Sequence, residues 1–409
     1  MTIFPSPNLR AFPSPDIRTF PGSDPRPLAS TDPRPASSVA SRVPFLDTVR
    51  SVAIVLVLAC HFRHLAGAPQ WFVYIGLRGN VGVDIFFVLS GFLIGGQLLR
   101  TLARRGNLDL ARFWVRRALR TMPVYYVMFA VFVATHDVTS ATALPMLTFL
   151  QNYAAPSDWP ITWSLCIEEH FYLVLPLLLM LVAAATRNPR KIAAVAVAMI
   201  AVSPVLRGLF YDQLAGLTHN EFLAVFYSPT HLRLEGLFLG VAAAAVHQFN
   251  LQPWTLIKRH ARLVRNGGIG LFIIATWHPA LVGTSTASIS RLSPYCAVAQ
   301  FAIVSAVTAA VILAGIALHE RRPKPAAGPG RWLADHAYTL YLTHCVARQC
   351  VFYLQEHIHL GFAPALATSI LLSLGMAMLL RTLVELPALR FRDSLAPSRG
   401  RLSGVSLNN

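Results

Sequence analysis

The chain has 409 residues, of which 55% are hydrophobic and only 13% charged, against about 25% charged in an ordinary soluble protein. A soluble domain of this length cannot hide so much apolar surface. The composition therefore excludes a soluble enzyme, a disordered chain and a disulfide scaffold, and indicates a multi-spanning membrane protein. The net charge of +17 suits arginine-rich cytoplasmic loops facing anionic lipids better than nucleic acid, which is not expected as a partner.

Residues 1–44 hold no apolar signal-peptide core. Instead they repeat imperfectly every eight residues, with Phe4, Phe12 and Phe20 opening successive units and Arg10, Arg18, Arg26, Arg34 and Arg42 in one register. Proline at this density blocks helix and sheet, so a disordered, dispensable cytoplasmic tail is expected there. Beyond it, about ten transmembrane helices are predicted near 46–66, 81–99, 121–138, 162–185, 191–211, 231–247, 268–283, 296–318, 337–355 and 362–382. The fold expected is an all-α polytopic bundle with its domain at 45–392 and a second cytoplasmic tail at 393–409. Loops 100–120, 186–191, 248–266 and 319–331 are rich in Lys and Arg, whereas 139–161 and 212–230 have none. That alternation puts both termini in the cytoplasm. The five cysteines, Cys60, Cys166, Cys296, Cys345 and Cys350, lack metal-type spacing and read as small buried hydrophobes; no metal is expected.

Ionisable residues at membrane depth are costly and mark function. The first span carries Asp47, Arg50 and His61. Asp47 and Arg50, three apart, can pair. Arg50 and His61, eleven apart, share a helical face and stand about 16 Å apart along it. The second span opens with Asp84. The fourth carries Ser164, Glu168, Glu169 and His170, with Ser164 and Glu168 one turn apart, and the sixth opens on His231-Leu-Arg-Leu-Glu235. Topology suggests that His61, Asp84, Ser164, Glu168 and Glu235 converge in one polar cavity. At the opposite side, Arg116, Arg117 and Arg120 precede the third span, as a positive-inside signal or a phosphate clamp.

Five stretches then resemble the acyltransferase 3 family of bacterial membrane O-acyltransferases. They are Leu46-Asp-Thr-Val-Arg-Ser-Val-Ala followed by His61, the block Gly82–Ile94, the arginine-rich block Phe113–Tyr126, the block Thr162–Pro176, and Ala337-Tyr-Thr-Leu-Tyr-Leu-Thr-His344 with the closing Glu385-Leu-Pro387. The chain departs from the family pattern at His170, Thr343 and Leu386. The resemblance implies a multi-pass enzyme of the bacterial inner membrane that moves an acyl group, often acetyl, from cytoplasmic acyl-CoA to a hydroxyl of a cell-envelope glycan or lipid-linked glycan. No bound cofactor is expected. A fused extracytoplasmic domain, common in the family, is not expected in the residues after the last span.

Acyl transfer needs a base for the acceptor hydroxyl, a group for the oxyanion and a donor site. His61 is the candidate base or acyl carrier, with Asp84 or Glu168 fixing its tautomer and Ser164 beside them. Arg50, Arg116, Arg117 and Arg120 are candidates for holding the donor phosphates, and Trp163, Glu169, Tyr341 and His344 for further substrate contacts. A glycan or lipid transporter is the alternative, but the two halves show neither similarity nor paired Gly/Pro interruptions. A hydrolase using Ser164 lacks the Gly-x-Ser-x-Gly turn. A secondary metabolite is an alternative acceptor.

Overall fold

The computed structural model describes residues 42–136, 138–154, 159–186, 188–214, 217–277, 293–323 and 328–395. The repeat before Arg42, the tail beyond Leu395 and the end of the seventh expected span lie outside these residues. Every regular element among the described residues is helical: α1 (Pro44–Phe62), α2 (Gln70–Arg78), α3 (Val81–Arg105), α4 (Leu110–Thr135), α5 (Ser140–Leu147), α6 (Trp163–Ala185), α7 (Pro189–Leu209), α8 (Glu235–Gln248), α9 (Gln252–Arg259), α10 (Ala261–Trp277), α11 (Gln300–Arg321), α12 (Pro329–Ile358), α13 (Phe362–Leu380) and α14 (Leu386–Leu395). The short α-helical turn His219–Phe222 and single turns of 3₁₀ or π helix fill several of the connections.

Each of the ten expected stretches contains a helix, but the helices are not alike. Among the described residues, six helical runs are long and apolar enough to cross a membrane: Pro44–Phe62, Gln70–Arg105, Leu110–Thr135, Trp163–Ala185, Tyr295–Arg321 and Phe362–Leu395. Two of the remaining four show why they stand outside this set. α8 has 14 residues, about 21 Å at 1.5 Å per residue, against a hydrocarbon core of about 30 Å. α12 has 30 residues but carries Asp335, His336, His344 and Arg348 along its length.

Local chemistry fixes the helix ends. Asp109 caps α4 by accepting from the Arg112 amide at 3.2 Å. Gly106, at φ 72°, ends α3 in the left-handed conformation that favours glycine. Inside α6, Pro176 cannot donate to the carbonyl of Tyr172, and the Trp114 indole N–H takes that carbonyl instead at 3.2 Å.

α1 and α12 run parallel. Ser51 Oγ donates to the Gly330 carbonyl at 2.7 Å, the His61 and His344 rings meet in the middle, and Gln355 exchanges two hydrogen bonds with the Ala66 backbone at 3.0 and 3.1 Å. Arg42 pins the start of both helices: it grips Asp47 through Nε at 2.6 Å and reaches Asp335 at 2.7 Å. The Asp47 hydrogen bond raises the Arg42 pKa further above its ordinary value. The expected Asp47–Arg50 pair is therefore corrected. Asp47 is taken by Arg42, the last arginine of the repeat register, and Arg50 is left to face inward.

The tightest crossing joins α3 and α8. A Cβ on Gly91 would overlap the Leu237 carbonyl, and one on Gly240 would overlap that of Val88, so the two backbones touch. Around this crossing Ala53, Val88, Leu89, Ala244 and Ile312 bring α1 and α11 into one buried cluster. A second, larger cluster joins α1, α3, α4, α6 and α12 through residues such as Val57, Phe87, Tyr125, Leu175 and Leu340. Among the helices of this larger cluster the bundle leaves an opening.

Candidate active site

That opening is a cavity of about 430 Å³, within the size range of small-molecule sites. Helical spacing explains its walls. On α6, Ser164, Glu168 and Tyr172 recur every four residues and present one face. On α12, Asp335, Tyr338 and Tyr341 recur every three, and α4 contributes Arg117, Arg120 and Thr121. Arg50 from α1, Ser90, Gln97 and Arg100 from α3, and Arg392 from α14 complete the polar lining.

The cavity has two chemically distinct ends. At one end stand Arg50, Arg117, Arg120, Arg100 and Arg392. Among the described residues no carboxylate within ion-pair distance engages Arg50, Arg117 or Arg120. Arg117 reaches only the Gln97 side-chain oxygen, at 3.4 Å, and lies over the Phe113 and Tyr172 rings. Further in, Glu168 accepts from neutral hydroxyls, Ser90 at 2.8 Å and Tyr172 at 3.1 Å. At the far end, Ser164 Oγ and Tyr341 OH lie 2.5 Å apart, and Tyr341 donates onward to the Ile161 carbonyl at 2.8 Å.

His61 is half-buried just past that end and is not a wall residue. Its ring meets that of fully buried His344 at 4.7 Å, edge to face, and His344 in turn lies 5.8 Å from the Tyr341 ring. Both imidazoles bond through Nδ1 to the carbonyl one turn back, Val57 at 3.1 Å and Leu340 at 3.1 Å. A carbonyl accepts only, so each Nδ1 carries its proton and each Nε2 is left as the basic nitrogen. Cys345 joins the pair, with Sγ 3.4 Å from His344 Nε2. The donor atoms of His61, His344 and Cys345 all lie within 4.8 Å of one another. They offer two imidazoles and a thiol, one donor short of a closed four-ligand zinc site.

The expected convergence divides in two. Ser164 and Glu168 line the cavity, but Asp84 and Glu235 do not. Asp84 pairs with Arg233 at 2.8 Å, and Glu235 with Arg207 at 2.8 Å, with all four side chains at most 3% exposed. The Arg233 guanidinium lies over Phe301 at 3.8 Å, Tyr227 at 4.6 Å and Trp163 at 5.1 Å. Arg207 bonds the carbonyls of Leu232 and Val298. Neither Asp84 nor Glu168 therefore orients His61; the Val57 carbonyl does, with His344 alongside. Trp163 belongs to this aromatic cage rather than to the cavity wall. Glu169 turns to Thr121 at 2.7 Å, and His170 to Thr230 at 2.9 Å on another face. Of the four expected phosphate-holding arginines, Arg50, Arg117 and Arg120 share the cavity. Arg116 lies outside it, pairing with Asp393 at 3.3 Å.

Sequence reasoning missed Ser90, Tyr172, Tyr338, Arg100 and Arg392. The i, i+4, i+8 spacing from Ser164 to Tyr172 was the available signal for Tyr172. The others come from helices whose facing depends on long-range packing. The cysteines also divide: Cys166 and Cys296 are buried as expected, but Cys350 is exposed.

A family model described as an acyltransferase domain matches residues 43–381. The peptidoglycan O-acetyltransferase OatA of Listeria monocytogenes serovar 1/2a is 28% identical over 334 residues, which are 74% of this chain and 49% of that protein. YrhL of Bacillus subtilis strain 168, provisionally named a peptidoglycan O-acetyltransferase, is 30% identical over 225 residues, 50% of this chain and 33% of its own. A provisionally named O-acetyltransferase of Staphylococcus aureus strain COL is 29% identical over 227 residues, 49% of this chain and 34% of its own. The chain thus spans about half the length of the first of these relatives and about a third of the other two. No solved structure matches it.

Proposed function

The chain belongs to the acyltransferase 3 family, and from that premise we propose that it is a membrane O-acyltransferase moving an acetyl group from cytoplasmic acetyl-CoA to a hydroxyl of a cell-wall glycan. The observation that carries this reading is the graded cavity, with Arg50, Arg117 and Arg120 in no ion pair among the described residues at one end and hydroxyls leading to an imidazole pair at the other. The names of the relatives support acetyl as the group and a wall glycan as the acceptor.

In this mechanism Arg50, Arg117 and Arg120 hold anionic parts of the donor through charge-assisted hydrogen bonds. The donor's extended arm runs along α1 and brings the thioester toward His61, about 16 Å from Arg50 along the helix. His61 Nε2 takes the proton of the acceptor hydroxyl. The hydroxyl oxygen bonds to the acyl carbon, the carbon–sulfur bond breaks, and the departing thiolate receives the proton from His61. His344 supports the transient imidazolium: with Nδ1–H spent on Leu340, its Nε2 presents a lone pair beside the Cys345 thiol, 3.4 Å away.

The direct test uses proteoliposomes with labelled acetyl-CoA inside and peptidoglycan fragments outside. Alkali-labile label on the glycan is expected; its absence, with transport of unchanged glycan instead, would overturn the reading. Orientation rests on the loop arginines. Reporter fusions at Gly106 and Lys258 are expected to read cytoplasmic. Fusions at Ser157 and Gly216, which lie outside the described residues, are expected to read extracytoplasmic. An extracytoplasmic signal at Gly106 would reverse the donor side.

A further inference from the structure

Arg116, displaced from the cavity, lines a second concavity of about 660 Å³ between the end of α3 and the start of α4. Arg100, Arg104, Arg105 and Arg112 surround it with Arg116, against a single lining carboxylate, Asp109, whose Oδ1 already caps α4. Among the described residues no carboxylate pairs with Arg100, Arg104 or Arg105. Arg112 Nη2 is shielded from solvent and meets no acceptor. Five guanidinium groups held this close repel one another; Asp393 offsets Arg116 at 3.3 Å, but among the described residues no ion pair offsets Arg100, Arg104, Arg105 or Arg112. A polyanion removes it.

The crevice is not isolated. Gln97 and Arg100 line both this concavity and the reactive cavity, so the two meet at one turn of α3. Buried Leu98, Leu108 and Phe113 give the crevice an apolar floor beneath its cationic rim. A ligand filling both spaces has a polyanionic head carrying an apolar ring system and a long neutral arm.

We propose that the α3–α4 crevice binds the phosphorylated nucleotide end of the acyl donor, its adenine on the apolar floor and its 3′-phosphate on Arg104, Arg105 and Arg112, while the diphosphate and the neutral arm pass Arg100 into the reactive cavity. This rests on the acyl-CoA reading and deepens it. The expected clamp becomes bipartite: Arg50, Arg117 and Arg120 face the arm and its diphosphate, and the crevice holds the far phosphate. Net attraction at such a site weakens with salt. The crevice volume lies within the range that organic ligands fill.

The test titrates the full chain, in phosphatidylcholine nanodiscs, with CoA, 3′-dephospho-CoA and pantetheine. The wild type is expected to prefer them in that order. Arg104→Gln with Arg105→Gln is expected to weaken CoA by about tenfold or more, the scale of one or two lost charged hydrogen bonds. It should also abolish the preference for the 3′-phosphate and leave pantetheine unchanged. Arg259→Gln with Arg262→Gln, equally basic and exposed but not among the residues lining the crevice, is the control and should bind CoA as the wild type does. CoA binding that ignores the 104/105 pair overturns the proposal. If that pair variant instead loses only a rise in melting temperature given by phosphatidylglycerol, the crevice is a lipid headgroup site and the proposal is again overturned. A wild type that binds no CoA at all defeats the donor reading itself, which is a distinguishable result.

Discussion

Two groups of charges inside this bundle look alike in sequence and differ in structure. Asp84, Arg207, Arg233 and Glu235 sit together with at most 3% of each side chain exposed, every charge opposite a counter-charge at 2.8 Å and the guanidiniums packed on aromatic rings. Arg50, Arg117, Arg120 and Glu168 line a cavity, and none is in an ion pair among the described residues. Both sets are ionisable residues in apolar helices, and a general rule marks both as functional. Pairing separates them. A closed pair carries its counter-charge within the fold, even though Asp84 Oδ2 and Arg233 Nε and Nη1 meet no further partner, whereas an open cavity charge faces space that a ligand can fill.

The sharpest way to break this distinction is to remove one member of the closed set. Asp84→Asn leaves Arg233 buried without a counter-charge, at a cost of about 3–5 kcal/mol. Folded yield and melting temperature should fall steeply, whereas Glu168→Gln should fold normally and lose activity. Replacing Asp84 by Leu together with Arg233 by Met should recover most of the folding, since apolar substitutes for a buried pair are often neutral. An Asp84→Asn protein that melts like the wild type but does not turn over would move the quartet into the reactive machinery.

Next in size is His61→Ala. As the base, His61 should contribute at least about 10²-fold to turnover, the lower end for general bases, with normal abundance. His64→Ala, one turn further on and exposed, should retain substantial activity. Equal activity per folded molecule in the two variants would remove His61 from the chemistry.

A smaller effect is expected on the cationic side of the cavity. Arg117→Gln with Arg120→Gln should raise the donor KM by about tenfold or more with kcat nearly unchanged, through lost charged hydrogen bonds. An unchanged KM would make these arginines topology signals only. The smallest effects concern the amino terminus. Removing residues 2–40 should leave melting and activity unaltered, while Arg42→Ala, which frees Asp47 and Asp335, should cost about 1 kcal/mol, as partly exposed ion pairs do. A destabilised truncation that keeps Arg42 would show that the repeat itself holds the bundle.

Hydrophobic runs made the helices legible, and the eleven-residue spacing put Arg50 and His61 on one face without any tertiary knowledge. The i, i+4 step likewise delivered Ser164 with Glu168. What the sequence hid was pairing across distance. Arg233 meets Asp84 across 149 residues, through 3₁₀ and π turns at Leu223–Leu232 that no periodicity announces. His344 meets His61 only because α1 and α12 are parallel. Asp47 looked available to Arg50 because Arg42 stood in a segment read as dispensable. In each case a local rule named the residue, and a long-range contact decided its role.

The glycine crossing of α3 and α8 bears on how the enzyme works as a machine. Two backbones in direct contact have no side chains between them to slide or repack, so these helices translate and rotate as one rigid strut. Ser90, Gln97 and Arg100 ride on that strut and are fixed reference points. Any widening that admits a donor or releases a product therefore falls to the other walls of the cavity, which α1, α4, α6, α12 and α14 supply. The strut is the frame against which those walls move.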